Sequence, residues 1–155
     1  MTDNVSIEWT KLVGTSETDS ADAIAIGTDG SIYITGSTGG DLDGQENIGS
    51  SDTFVSKYNK DGEKQWSRLL GGPYRDDQAG ITVGNDGSVY ITGTTGGDLD
   101  GQIFNGGNSD AFISKFKIDG TKLWSKLIGS PNDDHGYAIT TGSDGSIYLV
   151  CRPLL

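Results

Sequence analysis

The sequence predicts an all-β protein built from tandem four-stranded antiparallel units. Three observations predict it. Trp9, Trp66 and Trp124 recur at steps of 57 and 58 residues, and Gly14, Gly71 and Gly129 keep the same steps. Asp-Gly pairs, a strong hairpin signal, punctuate the chain at 29–30, 86–87, 119–120 and 144–145. No apolar stripe at helical spacing survives about ten residues without a glycine.

The elements come in order within one repeat. In the second copy a first strand is expected over 79–84, rich in small residues, and Asp86-Gly87 turns the chain. A second strand over 88–94 places Val89 and Ile91 on one face, Tyr90 and Thr92 on the other. A long Gly/Asp/Asn connection runs through 95–109. The third strand, 110–117, puts Phe112 and Phe116 opposite Ile113; Asp119-Gly120 turns it into a fourth at 122–128. Apolar residues on both faces mean that each sheet lies between two neighbours. Small residues at Ala23, Ala25, Gly80 and Ala138 put the first strand nearest a crowded axis. This is the blade of a β-propeller; a β-solenoid would need shorter repeats, roughly 20–30 residues.

The chain therefore reads as a single propeller fragment, residues 1–155, with about two and a half repeats. The first repeat is 9–65, the second 66–123, and a partial third spans 124–149 before 150–155 leave the pattern. In strands this gives a fourth-type strand at 5–14, two whole blades, and two more strands within 136–150. Such a ring is incomplete. Open edges and uncovered inter-blade faces predict self-association, aggregation or marginal stability.

Certain strings recur across the copies. Trp-Ser-x-Leu-[Leu/Ile]-Gly opens the second and third, and Asp-Gly-Ser-[Ile/Val]-Tyr-Ile-Thr-Gly stands in the first two. Asp-[Thr/Ala]-Phe-[Val/Ile]-Ser-Lys begins the third strand at Asp52 and at Asp110. This set resembles the SBBP-type bacterial β-propeller repeat, over essentially residues 9–149. The resemblance implies tandem blades in large bacterial proteins, often cell-surface or secreted and without an assigned activity.

Composition narrows the function. The 22 acidic residues, 18 of them Asp, face 11 basic ones, a net charge of −11. That surface repels phosphate backbones and disfavours nucleic acid. No apolar run approaches the roughly 20 residues of a membrane helix, and the N-terminus does not read as an ordinary signal peptide. Cys151 and His135 are the sole residues of their kinds, which excludes an internal disulfide and a cysteine-based zinc site. His135 could pair with Asp133 or Asp134 as a base, but Ser20 and Asp77 hold its position in the other copies. A solvated loop histidine is the better reading. No nucleophile elbow, Walker loop or dinucleotide fingerprint occurs.

Three recurrent groups carry the remaining candidates. Asp19, Asp76 and Asp134 either ring one mouth of a propeller or cap backbone N–H groups; capping is the plainer reading. The tryptophans, beside Leu12, Leu69 and Leu127, read as inter-blade packing. The duplicated connections 38–52 and 95–110 hold Asp41, Asp43, Gln45 and Asp52, matched by Asp98, Asp100, Gln102 and Asp110. Connections this long usually have a reason. Asp98 and Asp100 alternate with Leu99, which would aim both carboxylates at one point. These six aspartates are calcium candidates, each loop offering three carboxylates and so weak affinity, and no EF-hand spacing is met. No other cofactor is implied. The reading is a non-catalytic scaffold or protein-interaction module, with a calcium-dependent binding module and a truncated remnant as alternatives.

Overall fold

A computed structural model of the chain describes residues 7–153. Three antiparallel sheets succeed one another along the sequence. The first holds β1 (Asp19–Ile26), β2 (Ile32–Thr38), β3 (Asp52–Tyr58) and β4 (Lys64–Leu70) in that order. The second repeats the arrangement with β5 (Asp76–Val83), β6 (Val89–Thr95), β7 (Asp110–Phe116) and β8 (Lys122–Ile128). The third is a hairpin of β9 (Asp134–Thr141) and β10 (Ile147–Pro153). Among the described residues no helix is long and apolar enough to cross a membrane.

The sheets stack face on face, with β1, β5 and β9 as successive inner neighbours. Strand alternation decides which side chains meet. Tyr33, Val55 and Leu70 of the first sheet are buried against Ile81, Val89, Ile91, Phe112 and Phe116 of the second. On its other side the second sheet presents Tyr90 and Ile113 to Ile139, Ile147 and Leu149 of the third. Burying a side chain of this kind contributes about 1.5–3 kcal/mol. On the outer face of the first sheet Phe54 and Tyr58 are buried, with the Trp9 ring 6.1 Å from Tyr58. Ile24 and Ile26 there, and Tyr148 on the outer face of the third sheet, are largely exposed; the stack does not close.

One dipeptide builds two kinds of turn. At Asp29-Gly30, Asp86-Gly87 and Asp144-Gly145 only the glycine has positive φ, at 78°, 75° and 85°. There Gly30 N–H bonds to Gly27 O at 3.0 Å and Gly27 N–H to Ser31 O at 2.8 Å, a three-residue hairpin. The aspartate accepts from the following serine: Ser31 N to Asp29 Oδ1 is 3.0 Å and Ser31 Oγ to Oδ2 is 2.8 Å. Ser88 and Ser146 do the same for Asp86 and Asp144. These bonds, led by the backbone N–H, hold the Asp86 carboxyl below its usual range.

Four expectations shift. The first strand of the second blade starts at Asp76, not at residue 79, because a bulge between Gln78 and Gly80 breaks the alternation that marks it. The same bulge recurs between Ala21 and Ala23. Of the strand expected at 5–14, residues 5 and 6 lie outside the described residues, and 7–14 pair with no sheet. Among the described residues no third-type strand precedes them to pair with. At the other end the sequence leaves its pattern at Val150, but the ladder continues: Cys151, Arg152 and Pro153 pair with Gly136, His135 and Asp134. Backbone pairing needs no particular side chain. His135 accordingly lies on β9 and is half-buried, not in a solvated loop.

Candidate functional site

The duplicated β2–β3 and β6–β7 connections are built around a buried leucine. Leu42 and Leu99 plug the end of their sheets and are almost wholly buried. Each sits in a two-residue turn, with Leu42 and Gln45 exchanging backbone bonds of 3.0 Å and Leu99 and Gln102 bonds of 3.2 and 2.8 Å. Both central residues have positive φ: Asp43 at 52° and Gly44 at 77°, Asp100 at 50° and Gly101 at 73°. That is the geometry for which Asp-Gly is suited. The glycine takes it freely, and the aspartate tolerates it better than most side chains.

Each of the six candidate carboxylates is bound by its own neighbourhood. Asp41 accepts from Asn47 N at 2.9 Å, and Asp98 from Phe104 N at 2.8 Å. Asp43 pairs with Lys64 on β4; Asp100 pairs with Lys122 and takes the Ser125 hydroxyl on β8. Burial raises the Asp43 carboxyl, but hydrogen bonds from Lys64 and Ser67 outweigh it and hold it low. Asp52 accepts from Ile48 N and Gly49 N at 3.0 and 3.3 Å. Asp110 accepts from Asn105 N and Nδ2 at 2.7 and 3.0 Å. Within one loop the two carboxylates have different partners, Asp98 the backbone of its own loop and Asp100 side chains on β8. Among the described residues no three His, Cys, Asp or Glu stand where they could hold a metal ion.

Gln45 has a use that spacing does not reveal. Its amide donates to Ser67 O at 2.8 Å and accepts from Leu69 N at 3.2 Å, so it pairs with the free edge of β4. An edge strand has such backbone groups to spare.

A second set of aspartates stitches sheet to sheet. Asp19, Asp76 and Asp134 accept from the N–H four residues earlier, on Thr15, Gly72 and Ser130, at 2.6, 2.7 and 2.5 Å. They are caps, as the plainer reading holds. Asp76 N in turn donates to Ser51 O at 2.9 Å, and Asp134 N to Ser109 O at 2.7 Å. Asp52 and Asp76 are buried at this junction, and burial pushes both carboxyls above their usual range. Oδ1 of Asp76 and of Asp110 finds no hydrogen-bond partner among the described residues. His135 stands nearby, its ring nitrogens 3.4 Å from Thr94 Oγ1 and 3.5 Å from Ser109 Oγ.

Tryptophan couples consecutive blades. The Trp66 indole donates to Ile118 O at 3.1 Å, over the hairpin of the next sheet, and its ring lies 6.0 Å from Tyr33. Trp9 repeats this on the first sheet through Lys60 O at 3.1 Å. Trp124 contacts Tyr90 at 6.3 Å but has no following hairpin of this kind among the described residues, and it is 38% exposed.

Comparison with known proteins agrees with this geometry. A family model described as a beta-propeller repeat, SBBP, matches residues 8–43 and 65–100. Each of the two stretches is similar to one SBBP repeat. Each match begins on the tryptophan segment and ends at the Asp-Leu-Asp turn, so an SBBP repeat is offset from a sheet by one strand. The second takes in β4 of one sheet and β5–β6 of the next. In this chain the matched stretch from 65 to 100 thus includes the junction between two sheets. A relative, the regulatory protein FlaEY of Caulobacter vibrioides, is 28% identical over 136 residues. The alignment covers 79% of this chain and 14% of FlaEY, so the chain spans about a seventh of that relative's length.

Proposed function

We propose that the chain is a non-catalytic scaffold, a run of SBBP blades that works through protein contacts in a bacterial surface or secreted protein. One observation carries this reading. The duplicated polar residues are engaged in turns, caps and sheet edges, while the end sheets leave apolar side chains exposed on their strands, Ile24 and Ile26 on β1 and Tyr148 and Val150 on β10. Ile24 and Ile26 on β1 are 65% and 72% exposed. Exposed apolar faces of this kind mark contact surfaces. The description of FlaEY as a regulatory protein is compatible with a module that acts by contact. Localisation rests on the family resemblance alone.

The test is site-specific photo-crosslinking in bacterial cells that express the full chain. A photoreactive residue at Ile26 should give protein adducts, and one at the exposed, polar Lys60 should not. No adduct at Ile26, or equal adducts at both positions, would overturn the reading.

A further inference from the structure

The chain uses one interface twice and leaves part of each half exposed, on its first sheet beside the Trp9–Tyr58 contact and on its third. In the first use, β5 and β6 place Ile81, Val89 and Ile91 over Tyr33 and Val55 of the first sheet. In the second, Ile139, Ile147 and Leu149 sit over Tyr90 and Ile113. The isoleucine-bearing side is the head of a sheet, the tyrosine-bearing side its tail. On the first sheet the head residues Ile24 and Ile26 face away from the second sheet and are largely exposed. On the third sheet Tyr148, at the position of Tyr33, is 58% exposed, and Val150 beside it on the same face is 60% exposed.

We propose that a second copy of this chain docks head to tail, its Ile24–Ile26 face on the Tyr148–Val150 face of the first. The proposal rests on the scaffold reading and names the partner. Three observations support a second copy as the occupant. Both complementary faces lie on one chain. The incoming β1 carries its bulge between Ala21 and Ala23, where β5 carries the one between Gln78 and Gly80, so it presents the backbone shape already seated on the first sheet. Ile24, Ile26 and Tyr148 hold the positions of Ile81, Val83 and Tyr33, which the repeat already packs together, and Val150 adds an apolar side chain where the earlier copies have Thr35 and Thr92. Each copy has a net charge of −11, so apolar contact drives the association against like-charge repulsion. Added salt screens that repulsion and strengthens the complex. A contact between unlike faces repeats, and it ends only when the ring closes or a blocked copy caps it.

Two double variants of the full chain test this by light scattering after size exclusion. Ile24→Asp/Ile26→Asp blocks the head, and Tyr148→Asp/Val150→Asp blocks the tail. The wild type should run as a dimer or larger, and each variant alone as a monomer, weakened by more than roughly tenfold. An equal mixture of the two should form a dimer and nothing larger, since each supplies the face that the other lacks. Unchanged Trp66 emission in both variants verifies the fold. A tail variant that still dimerises alone would mean head-on-head packing and would overturn the proposal, as would a monomeric wild type at high concentration and salt. A monomeric wild type that still crosslinks to another protein through Ile26 would sink this proposal and leave the scaffold reading standing.

Discussion

Tyr33 and Tyr148 hold the same place in their repeats, yet 1% of the first is exposed and 58% of the second. Tyr90, between them in the sequence, is 7% exposed. The side chain is the same at all three sites, so the difference lies in the next sheet along the stack. A four-stranded sheet covers Tyr33, a two-stranded one covers Tyr90, and no described sheet of this chain covers Tyr148. The strand pairs β1–β2, β5–β6 and β9–β10 are close copies, and their environments are not. Repetition in sequence supplies the parts of an interface but does not decide whether the interface is made.

Substitutions at equivalent positions sharpen that contrast. Tyr33→Ala should cost about 3–4 kcal/mol of folding stability, near the range for buried aromatic residues. Tyr148→Ala in a monomeric sample should cost less than about 1 kcal/mol. Urea melts measure both, and equal losses would mean that Tyr148 is covered. The tryptophans should differ less. Trp66→Ala, half-buried and tied to Ile118 O, should cost about 2–3 kcal/mol, and Trp124→Ala about 1 kcal/mol. Emission from single-tryptophan variants should be bluer and less quenched for Trp66 than for Trp124.

The buried junction carries a pH signature opposite in sign to that of the exposed turns, whose carboxyls are held low. Burial raises the Asp76 carboxyl, so its folded pKa lies above its unfolded one. Stability from this group is therefore full below about pH 4 and falls as pH rises through the folded pKa. Asp76→Asn keeps an acceptor for Gly72 N–H and removes the charge. Its melting temperature relative to wild type should rise between about pH 4 and pH 7; a difference independent of pH would argue against a buried charge.

The smallest effect is expected at the candidate calcium turns. Asp43→Asn and Asp100→Asn retain a residue that tolerates positive φ and lose only an exposed or part-exposed ion pair. Each should cost at most about 1 kcal/mol. With the carboxylates bound by protein donors, melts in EDTA and in millimolar calcium should coincide for wild type and both variants. A calcium-dependent rise in the wild type, lost in the variants, would support the metal reading instead.

Much of the fold is legible in the sequence for definite reasons. The tryptophan and Asp-Gly-Ser spacings locate hairpins because a turn has local geometry and names its own residues. Phe112 and Ile113 reveal opposite buried faces because strand alternation has period two. The start of β5 escapes that logic because its bulge breaks the period. The GGDLDGQ carboxylates look convergent in the string, but the positive φ of Asp100, set by the turn, aims its side chain at Lys122 on a strand more than twenty residues away. Nothing in the string names that partner. Gln45 is hidden for the same reason, since its partners Ser67 and Leu69 are backbone groups without a side-chain signal.

The sequence by itself determined the all-β repeat, the hairpins, the identity of the faces and the capping aspartates, because each depends on residues within a few positions of one another. Only the tertiary structure decided which faces are covered, that Asp52 and Asp76 are buried together, and that Trp66 is seated over a following hairpin while Trp124 is more exposed. Burial is a property of neighbours. In a repeat protein the neighbour is the next sheet, some sixty residues on, so identical strings meet different fates according to where the stack stops.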